Sequence, residues 1–295
     1  MTAMMMMTMT MTMTMTMTIA TARVLGMVGV IERLSSFDAD RRRGMTDAGT
    51  LSVVVPVFNE EEILKDTVEE LLAGLANLPL GGFELILCEN GSTDGTREIA
   101  YSVAATCPVV RVITLDRADY GAALRAGLLA AQGGTAVSFD ADYYDFDFLQ
   151  GALANAGDVV VASKGMSGSD DRRSMLRRLA SRSFGLLTRS LLGVKVRETH
   201  GMKLFRAPAL SLVPLIEATR DLFDTELLAV AELEGLTIGE LPITTQEKRP
   251  SRSGILSRVP RTIVGLLDMR ARLGAGHVPL PATVSQLPSP MPDAA

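Results

Sequence analysis

The sequence predicts an α/β fold: a mostly parallel sheet with helices on both faces. Three observations carry that reading. Short apolar runs that suit buried strands begin at 51, 83, 109, 135 and 158. Each gap between them leaves room for one covering helix, the rhythm of parallel strands joined by helical crossovers. Polar clusters at 58–62, 89–95 and 140–142 all fall at the carboxyl ends of such runs, where ligands bind in open α/β sheets.

Residues 1–18 are almost pure Met and Thr, alternating from Met7 to Thr18. Such a repeat specifies no packed core and reads as disordered. It lacks the basic first segment of a signal peptide, and translation from Met27 or Met45 is an alternative start. Ile19 to Leu34 has helical apolar spacing, and the charged segment from Asp38 to Gly49 reads as a linker. A chain beginning at Met45 is expected to keep its fold.

Leu51 to Val57 is the first strand. Asn59, with Glu62 three residues on, is expected to cap a helix running through Leu75. Phe83 to Cys88 is the second strand, Glu89 to Gly95 a turn, and Thr96 to Thr106 a helix. Val109 to Leu115 is the third strand, followed by a helix over Tyr120 to Gln132. Thr135 to Phe139 and Asp158 to Ala162 are the fourth and fifth strands. A helix then carries Arg173, Arg177, Arg178, Arg182 and Arg189, with Leu176, Leu179, Phe184, Leu187 and Leu191 among its apolar residues. Phe223 to Glu234 reads as a helix and Leu236 to Ile243 as a strand. Val278 to Ala295, with five prolines, reads as a disordered tail. The expected organisation is a disordered segment and linker over 1–48, a domain over 49–262, and the end of a helix plus the Pro-rich tail over 263–295.

Composition bounds the function. Apolar residues make up 47% of 295, enough for a sizeable core, and a net charge of −5 argues against nucleic acid as a partner. Two cysteines, Cys88 and Cys107, make no disulfide framework and fit a reduced, cytoplasmic setting. Two histidines give no His-based metal site, and no window reaches the 18 uninterrupted apolar residues of a membrane span. Against this background Lys164 to Arg206 holds eleven Lys or Arg and three acids, a net of +8. Such a run is either a solvated helix face or a surface for an anionic partner. Lys248 to Arg261 adds five more basic residues.

The candidate site starts from Asp140 and Asp142, two carboxylates at the end of the fourth run. Paired carboxylates suit a hard divalent cation, which takes oxygen ligands and keeps positions open for substrate phosphates. Taken alone, Asp-x-Asp is weak evidence, because such pairs arise by chance and usually sit on solvated loops.

The order of the motifs adds to this. Val53-Val-Val-Pro-Val-Phe-Asn-Glu-Glu61, then Glu89-Asn-Gly-Ser-Thr-Asp-Gly-Thr96, then Phe139-Asp-Ala-Asp142, resembles the family 2 glycosyltransferases of the GT-A (Rossmann-like) fold. Asp158-Val-Val-Val-Ala-Ser-Lys164, Gly201-Met-Lys-Leu-Phe205 and Phe223-Asp-Thr-Glu-Leu-Leu228 look like its dolichyl-phosphate mannose synthase and polyprenyl-phosphate sugar transferase branch. The likeness spans about residues 50–260. It implies a nucleotide-sugar donor, Mg²⁺ or Mn²⁺ on the diphosphate, and inversion at the anomeric carbon.

Carried over residue by residue, Pro56, Phe58, Glu60, Glu89, Ser92 and Asp140 would bind the nucleotide. Asp140 and Asp142 would hold the metal, with Asp142 central to turnover. Lys164, Arg177 and Ser181 would hold an acceptor phosphate, a task that suits bidentate Arg. Asp224 and Glu226 are the candidate bases if the acceptor is a hydroxyl. As acids at a helix start they also suit the helix dipole.

This chain departs from the branch at several positions. Glu89 stands for an Asp, Asn90 for a second Asp, Arg197 for an Asp and His200 for a Cys or Ser, and Tyr143-Tyr144-Asp145-Phe146-Asp147 replaces a Gln- and Pro-rich stretch. The implied activity is hexose transfer to a polyprenyl phosphate, with the protein cytoplasmic and peripheral on the inner face of the membrane. A soluble transferase to a small acceptor such as a phosphoglycerate, and a nucleotide-sugar-binding protein without turnover, are the alternatives.

Overall fold

The structure is a computed structural model and describes residues 49–164, 166, 169–171, 175–245 and 255–274. The Met/Thr segment, the helical spacing over 19–34, the linker and the Pro-rich tail lie outside the described residues.

In chain order the elements are β1 (Thr50–Val57), α1 (Leu64–Ala76), β2 (Gly82–Asn90), α2 (Thr96–Thr106), β3 (Val110–Leu115), α3 (Tyr120–Ala130) and β4 (Thr135–Ser138). There follow α4 (Phe146–Ala154), β5 (Val159–Ser163), β6 (Asp170–Asp171), α5 (Met175–Leu192), β7 (Lys203–Arg206) and α6 (Ala207–Leu210). Two 3₁₀ turns, Val213–Leu215 and Arg220–Leu222, precede α7 (Phe223–Leu233), β8 (Ile238–Pro242), β9 (Thr244–Thr245) and α8 (Ile255–Gly274). All six expected strands are present within a residue or two of their expected ends. The last helix crosses the expected domain end at 262 and runs on to Gly274.

The chain forms two compact units, one within Met1–Ala118 and Ala130–Phe146, the other within Asp119–Leu129 and Asp147–Ala295. In the first, four strands lie in the order β3-β2-β1-β4 and every pair is parallel. Val53, Val54 and Val55, like Leu85, Ile86 and Leu87, are fully inaccessible. Consecutive residues point to opposite faces, so both faces are covered, which is why these strands read as unbroken apolar runs. The chain steps outward from β1 to β2 to β3, then returns to place β4 on the other side of β1. Strand order therefore reverses between β1 and β4, and a crevice opens at their carboxyl ends.

At the opposite end Glu84 is buried but fully partnered. It accepts hydrogen bonds from the Ser52 hydroxyl (2.8 Å), the Gln132 amide (2.7 Å) and Arg111 (2.7 Å). A buried carboxylate is tolerated only with such satisfaction. Helix α1 buries Leu64, Val68, Leu71 and Leu75, one apolar stripe at helical spacing. The expected cap is not formed. Asn59 sits at φ 55°, and its side-chain oxygen accepts from the Thr93 amide (2.8 Å) in the β2–α2 loop. The amides of Ile63 and Leu64 instead close on the Glu60 carbonyl, and α1 begins at Leu64.

In the second unit β5 pairs parallel with β8 and antiparallel with β7. Val159 to Ala162 are inaccessible, as the apolar run predicts. Strand β7 has no counterpart among the expected elements, and of helix α8 only the end beyond 262 was expected. Four residues of mixed character, Lys203 to Arg206, carry little periodic signal. The start of α8, over 255–261, is legible only as part of a basic stretch.

Candidate functional site

The donor-side residues belong to the first unit. The register pairs Val57 with Glu89 and Val54 with Ser138, so Phe58, Glu89 and Asp140 emerge at one edge of the sheet, beside the crevice between β1 and β4. Sequence reasoning placed all of them at strand ends, and the topology brings these ends together.

Two loops meet there through a lattice of hydrogen bonds. The Asn59 amide donates to the Ser92 hydroxyl (3.1 Å), the Glu60 amide to the Thr96 hydroxyl (2.7 Å), and the Gly95 amide to the Glu61 carboxylate (2.7 Å). Burial pushes the Asp94 carboxyl up, but hydrogen bonds from the Thr96 hydroxyl and amide (3.0 Å) and from the Glu61 amide (3.4 Å) together outweigh it and hold the pKa below the usual range.

Glu89 is inaccessible, and its two oxygens take the Ser92 amide and Arg97 (Nε–Oε2 2.7 Å). That hydrogen bond, with the charge behind it, raises the Arg97 pKa. The longer Glu side chain, in the place where the resembled family has Asp, thus folds back on its own turn.

The Asp140-Ala-Asp-Tyr143 segment is a tight turn with two backbone hydrogen bonds, Asp140 amide to Tyr143 carbonyl and Tyr143 amide to Asp140 carbonyl, both 3.1 Å. Its middle is pinned by the Thr67 hydroxyl of α1, which donates to the Ala141 carbonyl (3.0 Å). The Tyr144 hydroxyl donates to Glu70, also on α1, and burial followed by this bond pushes the phenol pKa well up. Tyr144 in turn sits between Phe139 and Phe146, with ring centroids at 6.4 and 6.0 Å. Phe146 lies over Gly74, where a Cβ would come within 2.1 Å of the ring. The Tyr-Tyr-Asp-Phe stretch therefore replaces the Gln/Pro pattern with an aromatic brace that fixes the Asp-x-Asp turn to α1.

Asp140 and Asp142 are both partly exposed on this turn. Among the described residues no group of three His, Cys, Asp or Glu side chains could hold a metal ion. Two carboxylates with open positions remain a fitting half-shell for Mg²⁺ or Mn²⁺, which keep water and substrate phosphate as their other ligands.

The acceptor-side candidates belong to the second unit. Lys164 follows β5 and lies 3.7 Å from Glu198. Arg177 and Ser181 lie one turn apart on α5, on one face; the Arg177 side chain is outside the described residues. Asp224 and Glu226 open α7 and are both 2% exposed. Glu226 accepts from the Glu217 amide (2.9 Å) and the Ala218 amide on one oxygen, and from Arg272 of α8 on the other. Asp224 faces Lys203 Nζ at 3.1 Å, and that lysine is itself inaccessible and donates to the Gly201 carbonyl (2.8 Å). Lys203 and Arg272 were missed from the sequence. Lys203 lies inside a recognised motif, but nothing in the sequence paired it with Asp224 twenty-one residues on.

His200 packs edge-on against Phe184 (5.0 Å), with Nδ1 3.2 Å from the Thr199 hydroxyl. Burial pushes its pKa below the ordinary value, outweighing the opposing pull of Asp224. The native imidazole thus stays neutral where the unfolded one, with an ordinary pKa of about 6.5, gains a proton. Stability should fall as pH drops through that range, by at most about 1.4 kcal/mol per pH unit from this group. Denaturant melts at about pH 7.5 and pH 5.5 should show a smaller loss for His200→Gln than for the wild type. An equal loss would remove His200 as the cause.

Arg197, exposed, hydrogen-bonds through its amide to Glu240 (2.8 Å). A cleft of about 520 Å³ lies between the 217–222 turn and α8. Its arginines face its acids, as in Arg261–Asp221 (3.6 Å) and Arg272–Glu217 (3.5 Å), and it contains none of the acceptor candidates.

A parallel sheet with crossover helices, a switch-point crevice and a carboxylate pair on its rim is the doubly wound α/β arrangement in which ligands bind at the strands' carboxyl ends. The sequence profile of glycosyl transferase family 2 matches residues 52–212. A dolichyl-phosphate β-glucosyltransferase of Drosophila melanogaster is 32% identical over 218 residues, covering 67% of this chain and 67% of the relative. Glycosyltransferase AglD of Haloferax volcanii is 30% identical over 236 residues, covering 77% of this chain but 37% of the relative, so the chain spans little more than a third of that protein. Among solved structures, glucosyl-3-phosphoglycerate synthase of Mycobacterium tuberculosis with uridine diphosphate superposes with a TM-score of 0.57 at 23% identity, over 81% of this chain and 83% of that one. The chain belongs to glycosyl transferase family 2 and has the GT-A fold.

Proposed function

We propose that this chain transfers a hexose, with inversion, from a nucleotide-diphosphate sugar to a polyprenyl phosphate at the inner, cytoplasmic membrane surface. The observation that carries the acceptor class is the engagement of both candidate bases. Glu226 is bonded to Arg272 and two amides, and Asp224 faces a buried lysine. A hydroxyl acceptor needs a base within reach, and two buried, committed carboxylates serve that poorly. A phosphate oxygen is already a nucleophile and needs cations instead, because it approaches an anionic donor. Lys164, Arg177 and Ser181 suit that role. The dolichyl-phosphate relative points to the same acceptor class.

On the donor side, Pro56, Phe58, Glu60, Ser92 and Asp140 would frame the nucleotide, with Glu89 setting the floor of the pocket from within its turn. Asp140 and Asp142 would hold Mg²⁺ or Mn²⁺, and the solved neighbour was crystallised with Mn²⁺ and uridine diphosphate. The ion would offset charge gained by the departing diphosphate. The Asp-x-Asp turn, fixed at Ala141 and Tyr144, would keep the two carboxylates in place without reorganisation.

The test uses the purified full chain, a panel of radiolabelled nucleotide sugars with Mn²⁺, and either polyprenyl phosphate or phosphoglycerate. Label is expected in the organic phase with the polyprenyl phosphate. Label that stays aqueous on phosphoglycerate, or bound donor with no turnover, would overturn the proposal. Reversing Arg177 and Arg178 to Glu should lower transfer to the lipid phosphate at least about tenfold, since each basic residue near an anionic surface contributes on the order of 1 kcal/mol. Donor hydrolysis should change far less.

A further inference from the structure

Ten large apolar side chains are substantially exposed among the described residues, and seven of them lie on α5 and α8. Scattered exposed apolar residues are ordinary, whereas a concentration marks an interaction surface. On α5, Met175, Leu179 and Leu186 are 79%, 62% and 63% exposed, and helical geometry sets them within about 40° of arc. On α8, Val259, Ile263, Val264 and Leu267 are exposed over about 140° of arc, beside the arc that carries the fully buried Leu266 and Met269. The two helices belong to the same unit and pack together, with Arg270 of α8 donating to the Leu191 carbonyl (2.7 Å) near the end of α5.

We propose that α5 and α8 form one docking face by which this chain lies on an anionic lipid bilayer. Charge selects the occupant. Helix α5 contains four arginines and no acid, and α8 contains four arginines and one acid, Asp268, which is paired with Arg272 at 3.1 Å. Arg182 and Arg189 are exposed and border the apolar stripe of α5 along one side. In sequence each helix follows a basic run, Arg172-Arg173 before α5 and Lys248, Arg249 and Arg252 before α8. A second copy docking on this face would set arginine against arginine. A bilayer offers anionic headgroups to the arginines and acyl chains to the apolar stripe. No described helix is long and apolar enough to cross a membrane. The proposal takes its purpose from the lipid-acceptor reading and its support from the helices alone.

The experiment is flotation of the full chain with vesicles of phosphatidylcholine, with and without phosphatidylglycerol. Binding is expected to the anionic vesicles and to weaken as salt rises. Two double variants at exposed positions, Leu179→Ser with Leu186→Ser and Ile263→Ser with Leu267→Ser, should each lower the vesicle-bound to free ratio at least about tenfold. Their thermal melts, and their transfer to a short, water-soluble isoprenyl phosphate, should stay near wild type. Variants that float like the wild type, or a wild type indifferent to anionic lipid, would overturn the docking face. A wild-type dimer in light scattering that the variants dissolve would give the face to a second copy instead. A wild type that floats but transfers to neither the short nor the long isoprenyl phosphate would leave the docking face standing and overturn the acceptor reading.

Discussion

Asp142→Asn is expected to lower sugar transfer by about a hundred- to a thousandfold or more while leaving the fold intact, the scale of losing one preorganised electrostatic partner of a leaving group. The substitution keeps the size of the side chain and removes one of only two carboxylates on the Asp-x-Asp turn. What holds the turn does not depend on that charge. The two Asp140–Tyr143 backbone bonds, the Thr67 bond to Ala141 and the Tyr144 bond to Glu70 all persist. Thermal unfolding should therefore be unchanged, and the loss should appear in turnover and in Mn²⁺ dependence. Asp140→Asn should also be severe. Transfer by purified Asp142→Asn at the wild-type rate would end the metal assignment. Loss of activity with a lowered melting temperature would instead recast Asp142 as a structural residue.

The first unit was legible because its information is local. Val53 to Val55 and Leu85 to Leu87 announce buried parallel strands, and polar clusters immediately follow the strands that end at the crevice. A parallel strand pair with a helical crossover is fixed by such runs, so elements and site edge could be read together. The cap at Asn59 was misread because a Ser/Thr/Asn/Asp side chain serves any nearby amide, and here the amide of Thr93 lies 34 residues on. The second unit was less legible. Strand β7 is four residues long and antiparallel to β5, and its lysine points at a partner on α7. Helix α8 turns a half-apolar face outward, so its periodicity does not read as one buried stripe. Buried ion pairs between distant segments leave no pattern in a single sequence, because a lysine or an aspartate is by default a surface residue.

Lys203→Met is expected to destabilise the protein by about 3–5 kcal/mol, the cost of leaving one member of a buried ion pair without its partner. Lys203 is inaccessible and Asp224 is 2% exposed, with 3.1 Å between Nζ and Oδ1. The contact is an ion pair by distance but not a well-aligned hydrogen bond, since Oδ1 has no directional donor. Its worth is therefore mostly charge on charge, which makes removal of one partner more harmful than removal of both. The double variant Lys203→Met/Asp224→Leu should recover most of the loss, because well-packed apolar residues of similar size often replace a buried pair without penalty. Recovery will be incomplete, since Lys203 also donates to the carbonyl of Gly201 (2.8 Å), a residue held at φ 98° beside His200. Lys203→Arg should not rescue, because the planar fork is larger and distributes its donors differently. Urea unfolding of the three variants reads the outcome directly. A single variant within about 1 kcal/mol of wild type, or a double variant no better than the single, would show that the pair is not what holds the start of α7 in place.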